Sequence, residues 1–190
     1  MSTRRDLLLR HGLAEIPKFL TLLDRNPHSP TYGCFDRNYW HYRIIDFPSG
    51  MAQEFVWPLA LAWALEAPDN PYHCAPALRE WVAAGIRYAA RSAHRDGSCD
   101  DYFPYEKAGG AAAFSLLACL ESAALIGLED DAALDFFRRR AEWLAHHEES
   151  GQLSNHPALN VLCLLRLGAL TGEPCWQEHA RRRLDSLESR

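Results

Sequence analysis

Three stretches of this chain are apolar around the whole helical wheel, and each is followed by one that is apolar on a single side. Residues 50–65 gather Phe55, Val56, Trp57, Leu59, Leu61, Trp63 and Leu65; residues 110–126 and 157–170 read the same way. Residues 76–94, 131–147 and 174–187 are amphipathic. In the first of these, Leu78, Val82, Ile86 and Ala89 share a face opposite Arg79, Glu80, Arg87 and Arg91. A helix apolar on all sides must be covered on all sides, whereas an amphipathic one can face water. The alternation therefore predicts an inner layer of three helices and an outer layer that shields it. An amphipathic helix over residues 4–23, with Leu9, Leu13, Ile16, Leu20 and Leu23 on its spacing and Pro17 as a potential kink, makes seven in all.

The expected fold class is all-α, with antiparallel helical hairpins forming part of an α/α toroid. Three inner helices describe an arc of about half a ring. A repeat solenoid is the nearest competitor, but no residue-level repeat favours it. Trp63, Leu117 and Leu164 are expected to be almost inaccessible, Arg87 and Arg139 exposed. An arc leaves apolar flanks on its end hairpins, and such patches mark interfaces. The chain is accordingly expected to form a homo-oligomer or to bind a partner subunit that completes the ring.

Composition narrows the function classes. At 190 residues, 48 % hydrophobic and 24 % charged, the chain reads as one domain over residues 1–190 with a sizeable core. A net charge of −5 argues against general nucleic-acid binding, and the clusters Arg4-Arg5 and Arg181-Arg182-Arg183 read as solvated faces. The apolar run near the N-terminus is too short for a signal peptide. The run over residues 55–65 is broken by Pro58 and too short to span a bilayer. The expectation is a cytoplasmic protein with no membrane partner. Six scattered cysteines without a Cys-x-x-Cys pair read as reduced and structural. His146-His147-Glu148-Glu149 lacks the spacing of a helical His-Glu-x-x-His zinc site, so neither a metal nor another cofactor is expected.

The loops leading into the three apolar helices carry the chemistry. Residues 33–54, 96–107 and 151–157 each combine aromatics, carboxylates and amide or imidazole groups just before a helix start. Parallel inner helices would place those starts at one mouth, where free N–H groups and dipole ends suit an anionic ligand. Arg43, Asp46, Gln53, Glu106, Asn155 and His156 are expected to converge there, with Trp40, Tyr39, Tyr42, Tyr102 and Tyr105 as flat faces for sugar rings. The structural alternatives are equally concrete. Asp46, Ser49, Asp101 and Ser154 read as helix caps, and Arg43–Asp46 and Glu106–Lys107 as plain ion pairs. His41 and His156 read as hydrogen-bonded structural histidines.

The segments Asp96-Gly-Ser-x-Asp-Asp-x-x-Pro-x-Glu106 and Asn155-His156, each opening an apolar helix, resemble the α/α-toroid domains of heparinase II/III-like and related polysaccharide lyases. The resemblance implies that Asn155 binds a uronic-acid carboxylate and that His156 assists charge neutralisation or proton transfer. The family's tyrosine, its base and acid in β-elimination, would fall beyond residue 190, as would its β-sheet domain; Tyr42 and Tyr105 are the stand-ins here. The leading expectation is a carbohydrate-active protein acting on or binding an acidic oligosaccharide or another carboxylate-bearing small molecule. It would be a lyase through His156, Glu106 and Tyr42, or a glycosidase through two of Asp46, Asp101 and Glu106. Trp40, Arg43, Asp46, Gln53, Tyr105 and Asn155 would bind the substrate. A non-catalytic glycan-binding or scaffold subunit is the alternative. A small-molecule cyclase comes last, because no inner helix carries the acidic run that would hold Mg²⁺-diphosphate.

Overall fold

The computed structural model describes residues 3–148 and 155–189. Among the described residues it is all-α, with no strand. Seven α-helices follow one another: α1 (Arg4–Leu22), α2 (Val56–Ala64), α3 (Pro76–Ser92), α4 (Gly109–Ile126), α5 (Asp131–His146), α6 (Asn155–Thr171) and α7 (Cys175–Glu188). A π turn (Asn38–Tyr42) and a 3₁₀ turn (Met51–Phe55) precede α2.

Local chemistry sets these boundaries. Thr3 and Asp6 form a reciprocal capping box at the start of α1, which runs on through Pro17. The expected helix over residues 50–65 begins instead as a 3₁₀ turn. Pro58 has no N–H to offer the Glu54 carbonyl, so the regular ladder starts late. Pro76 occupies the first turn of α3. Gly127, at φ 57°, closes α4 in the left-handed region. Asp130 caps α5 by accepting the Ala133 N–H at 3.0 Å.

The helices pack in two rows. α4 lies between α2 and α6, α5 lies between α3 and α7, and α1 rests on α2. One hydrophobic cluster runs through the molecule, from Ile16 through Leu59, Ile86, Leu116 and Phe136 to Leu167 and Trp176. α4 is long and apolar enough to cross a membrane, but 78 % of it is buried in this core, which accounts for its composition. Leu117 and Leu164 are buried, and Arg87 and Arg139 exposed, as the alternation predicts. Trp63 departs from expectation and is only half-buried. The reason is position: α2 and α6 end their row, so each has a neighbour within it, α4, on one side only. Leu61 of α2 and Leu162 and Leu165 of α6 are exposed accordingly.

Polar side chains tie the hairpins together. Arg79 of α3 donates to the Ile126 and Gly127 carbonyls at the end of α4, at 3.0 and 3.1 Å. Arg87 of α3 reaches the Asp130 cap of α5 at 2.7 Å. Arg183 of α7 donates to the Leu144 and His147 carbonyls at the end of α5. The bonds from Arg79 and Arg183 satisfy carbonyls that a helix end leaves unpaired.

Candidate functional site

The loop leading into α4 is held by its own carboxylates. Asp100 Oδ1 accepts the Lys107 N–H at 3.0 Å and lies 2.9 Å from His94 Nε2, while Oδ2 accepts the Tyr105 N–H at 2.8 Å. Glu106 Oε2 accepts three consecutive backbone N–H groups, from Asp101, Tyr102 and Phe103, at 3.1, 2.8 and 3.3 Å. Tyr105 and Lys107 sit in the left-handed region, at φ 64° and 53°. Non-glycine residues adopt that conformation at a cost and persist in it only where surroundings over-determine them. Asp100 supplies that determination by bonding both of their N–H groups.

The electrostatics agree with the geometry. Burial alone would raise the Asp100 pKa, but His94 and the two N–H donors override it and hold the carboxyl below its ordinary range. Asp96 follows the same pattern: against burial, hydrogen bonds from Lys107 and Ser98 keep it well below the usual carboxylate value. Lys107 Nζ lies 2.7 Å from Asp96 Oδ2.

With its backbone bonded inwardly, the loop turns its aromatic rings outward. Tyr102, Phe103 and Tyr105 are all exposed, Tyr105 by 85 %. The Tyr105 ring lies parallel to the His94 ring with centroids 6.3 Å apart.

Beside the loop lies an open cavity of about 460 Å³, lined by Asp101, Tyr102, Glu106 and Lys107, by Met51 and His156, and by the first turn of α4. No side chain caps α4: its N-cap is Ala108, and Gly109 and Gly110 follow. The His156 ring lies so close to Gly110 that a Cβ there would come within 2.5 Å of it. Glycine is therefore the residue that admits the imidazole to the end of α4. Asp101 Oδ1 accepts the Ser49 hydroxyl at 2.5 Å, and Ser49 Oγ in turn accepts the Ala52 N–H at 3.4 Å. Burial, and then the Asp101 carboxylate, push the Glu54 carboxyl above its ordinary value.

The structure divides the residues singled out from sequence. Glu106 and His156 line the same cavity, and exposed Asn155 adjoins His156 at the start of α6. Tyr105 stands on the same loop, outside the cavity wall. Gln53 is buried elsewhere: its Oε1 accepts the Phe35 N–H at 2.9 Å, and its Nε2 donates to the Gly33 and Gly85 carbonyls at 3.1 and 2.9 Å. Trp40 donates from Nε1 to the Leu22 carbonyl at 2.7 Å. Tyr42 lies under the Arg37 guanidinium, 5.2 Å from its ring centroid. Arg43, at φ 54°, and Asp46 are exposed on the same loop, and none of these four lines the cavity. Ser154 and the rest of the expected loop over residues 151–154 lie outside the described residues.

Sequence reasoning missed Asp100 and Lys107 as site-builders. The Asp100-Asp101 doublet before a glycine-rich helix start was the available signal for the first of them. Among the described residues, no group of three His, Cys, Asp or Glu is placed to hold a metal ion. No family model matches this chain, and neither a curated protein nor a solved structure shows significant similarity to it.

Proposed function

We propose that this chain is an arc of an α/α toroid that recognises a carboxylate-bearing glycan at the mouth of its inner helices. The observation that carries the reading is the pinned loop: two left-handed residues, held by Asp100, present exposed aromatic rings beside the uncapped start of α4. Flat rings suit the faces of sugars, and a helix start without a side-chain cap suits an anionic group. Because the backbone is already fixed, little ordering entropy is lost when a ligand docks.

Titration with a uronate oligosaccharide, followed by calorimetry, tests the reading. Tyr102→Ala and Tyr105→Ala should each weaken binding by about tenfold, or about 1.4 kcal/mol, with the melting temperature unchanged. Equal binding of the neutral oligosaccharide, or indifference to both substitutions, would count against it.

A hydrolytic activity is the second reading, supported by the raised Glu54 carboxyl next to the Asp101 carboxylate. Glycoside hydrolysis uses two carboxyls held in different environments. Glu54→Gln should then abolish turnover while leaving glycan affinity intact.

The arc is completed by a second copy of the chain. An apolar groove of about 420 Å³ between α1 and α2, lined by Leu8, Leu13, Leu61 and Leu65, lies at one end of the row. Leu162 and Leu165 of α6 stand exposed at the other. A groove and a ridge on opposite ends suit head-to-tail pairing. Light scattering showing a monomer at every concentration would exclude it.

A further inference from the structure

Among the described residues Arg140 is the largest fully buried side chain, 1 % exposed, and it has no carboxylate partner there. Its Nε donates to the Gly97 carbonyl and its Nη1 to Ser115 Oγ, both at 2.7 Å. The Ser115 hydroxyl spends its own proton on the Ala111 carbonyl at 2.6 Å, so it can only accept from the guanidinium. The Phe136 ring lies 4.5 Å beneath the charge. All of these partners are neutral, and Nη2 donates to nothing among the described residues.

A buried guanidinium is ordinarily paired, because taking a lone charge out of water is strongly unfavourable. Here it opens instead onto a partly open cavity of about 140 Å³, whose other walls include Gln53, Ala89, His94, Cys99 and Asp100. One water needs roughly 10–15 Å³ of such space, so the cavity has room for a small organic molecule. Asp100 adds a negative charge to the wall, but both of its oxygens are already engaged, by His94 and by the Lys107 and Tyr105 N–H groups. The remaining uncompensated group facing the space is the Arg140 guanidinium, whose planar fork matches a carboxylate.

We infer that the cavity at Arg140 is a binding site for a small carboxylate monoanion, distinct from the open cavity beside α4. A dianion is disfavoured by Asp100 on the wall. Gly97 fixes the geometry. Its φ is 91°, and a Cβ there would strike the Arg140 backbone nitrogen at 2.5 Å, so the loop and α5 meet only through glycine. The site does not depend on glycan recognition, and its test leaves that reading untouched.

The probe is acetate, with acetamide as its neutral isostere and chloride at matched ionic strength as the ionic control. The Arg140 Nε–H resonance in ¹⁵N-edited spectra should shift saturably with acetate, with a Kd of about 1 mM or tighter, and with neither control. Ala89→Leu fills the cavity while keeping the cation, and should weaken acetate by at least about tenfold. Arg140→Lys keeps the charge but loses the fork and should weaken acetate as well. If that variant fails to fold, Ala89→Leu still decides. Absence of a saturable shift in the native protein overturns the inference. So does equal binding of acetamide, and so does undiminished acetate binding by Ala89→Leu.

Discussion

α4 and α6 are written in nearly the same alphabet, yet one is sealed and the other half-open. Both lie in the same row, run to 17 or 18 residues and are rich in leucine. α4 has neighbours on both sides of its row and α5 packed behind it, and Leu116, Leu117 and Leu120 disappear into the core. α6 has α4 on one side only, so Cys163, Leu164 and Leu167 are buried while Leu162 and Leu165 face outward, Leu165 by 45 %. Composition sets how much apolar surface a helix carries. Place in the row decides how much of it the chain can cover.

The sharpest way to break this comparison is to delete the same atoms from both helices. Leu116→Ala in α4 should destabilise the protein by about 2–5 kcal/mol, read from urea midpoints, since its neighbours can only partly fill the space. A loss under about 1 kcal/mol would mean that α4 is not the packed centre. Next in size is the contact where the two helices meet. Gly110→Ala would press a methyl against the His156 ring and should cost about 1–3 kcal/mol as overpacking, with the His156 resonances displaced.

Acid sharpens the comparison at the loop that feeds α4. Asp96 and Asp100 are both held below their ordinary values in the folded protein. Groups of that kind stabilise the fold above their unfolded pKa of about 3.9, and the contribution is lost as pH falls through that value toward the folded one. Stability should therefore be nearly level down to about pH 5 and fall below about pH 4. Lys107→Met, which removes one partner of Asp96, should flatten part of that fall. The smallest effect belongs to the open side of α6. Leu165→Ala should change monomer stability by less than about 0.5 kcal/mol.

The layering was legible because it rests on periodicity, and periodicity survives translation into packing. The positions of individual polar groups were less so. Gln53 looked like a mouth residue from its place near a helix start. Its partners Gly33, Phe35 and Gly85 are brought to it only by the fold. Glu106 was singled out for chemistry, whereas its oxygen is occupied by three backbone donors from a turn that local sequence does not specify. Arg140 is the opposite case. It shares the buried face of α5 with Ala133, Phe137 and Leu144 at helical spacing, so its burial was written in the pattern. A run of three arginines hid it, because Arg138 and Arg139 beside it are surface residues of the ordinary kind.

The arginines that close helix ends give the molecule a particular failure mode. Arg79 finishes α4 from the preceding hairpin, and Arg183 finishes α5 from the following one. The α4–α5 hairpin therefore cannot satisfy its own C-terminal ends in isolation, and peeling away the hairpin on either side strips hydrogen bonds from it. An array of self-sufficient repeats can fray from its ends one unit at a time. This chain is stitched so that unfolding spreads from one hairpin into the next, and amide exchange in α4 and α5 should track global opening rather than local breathing.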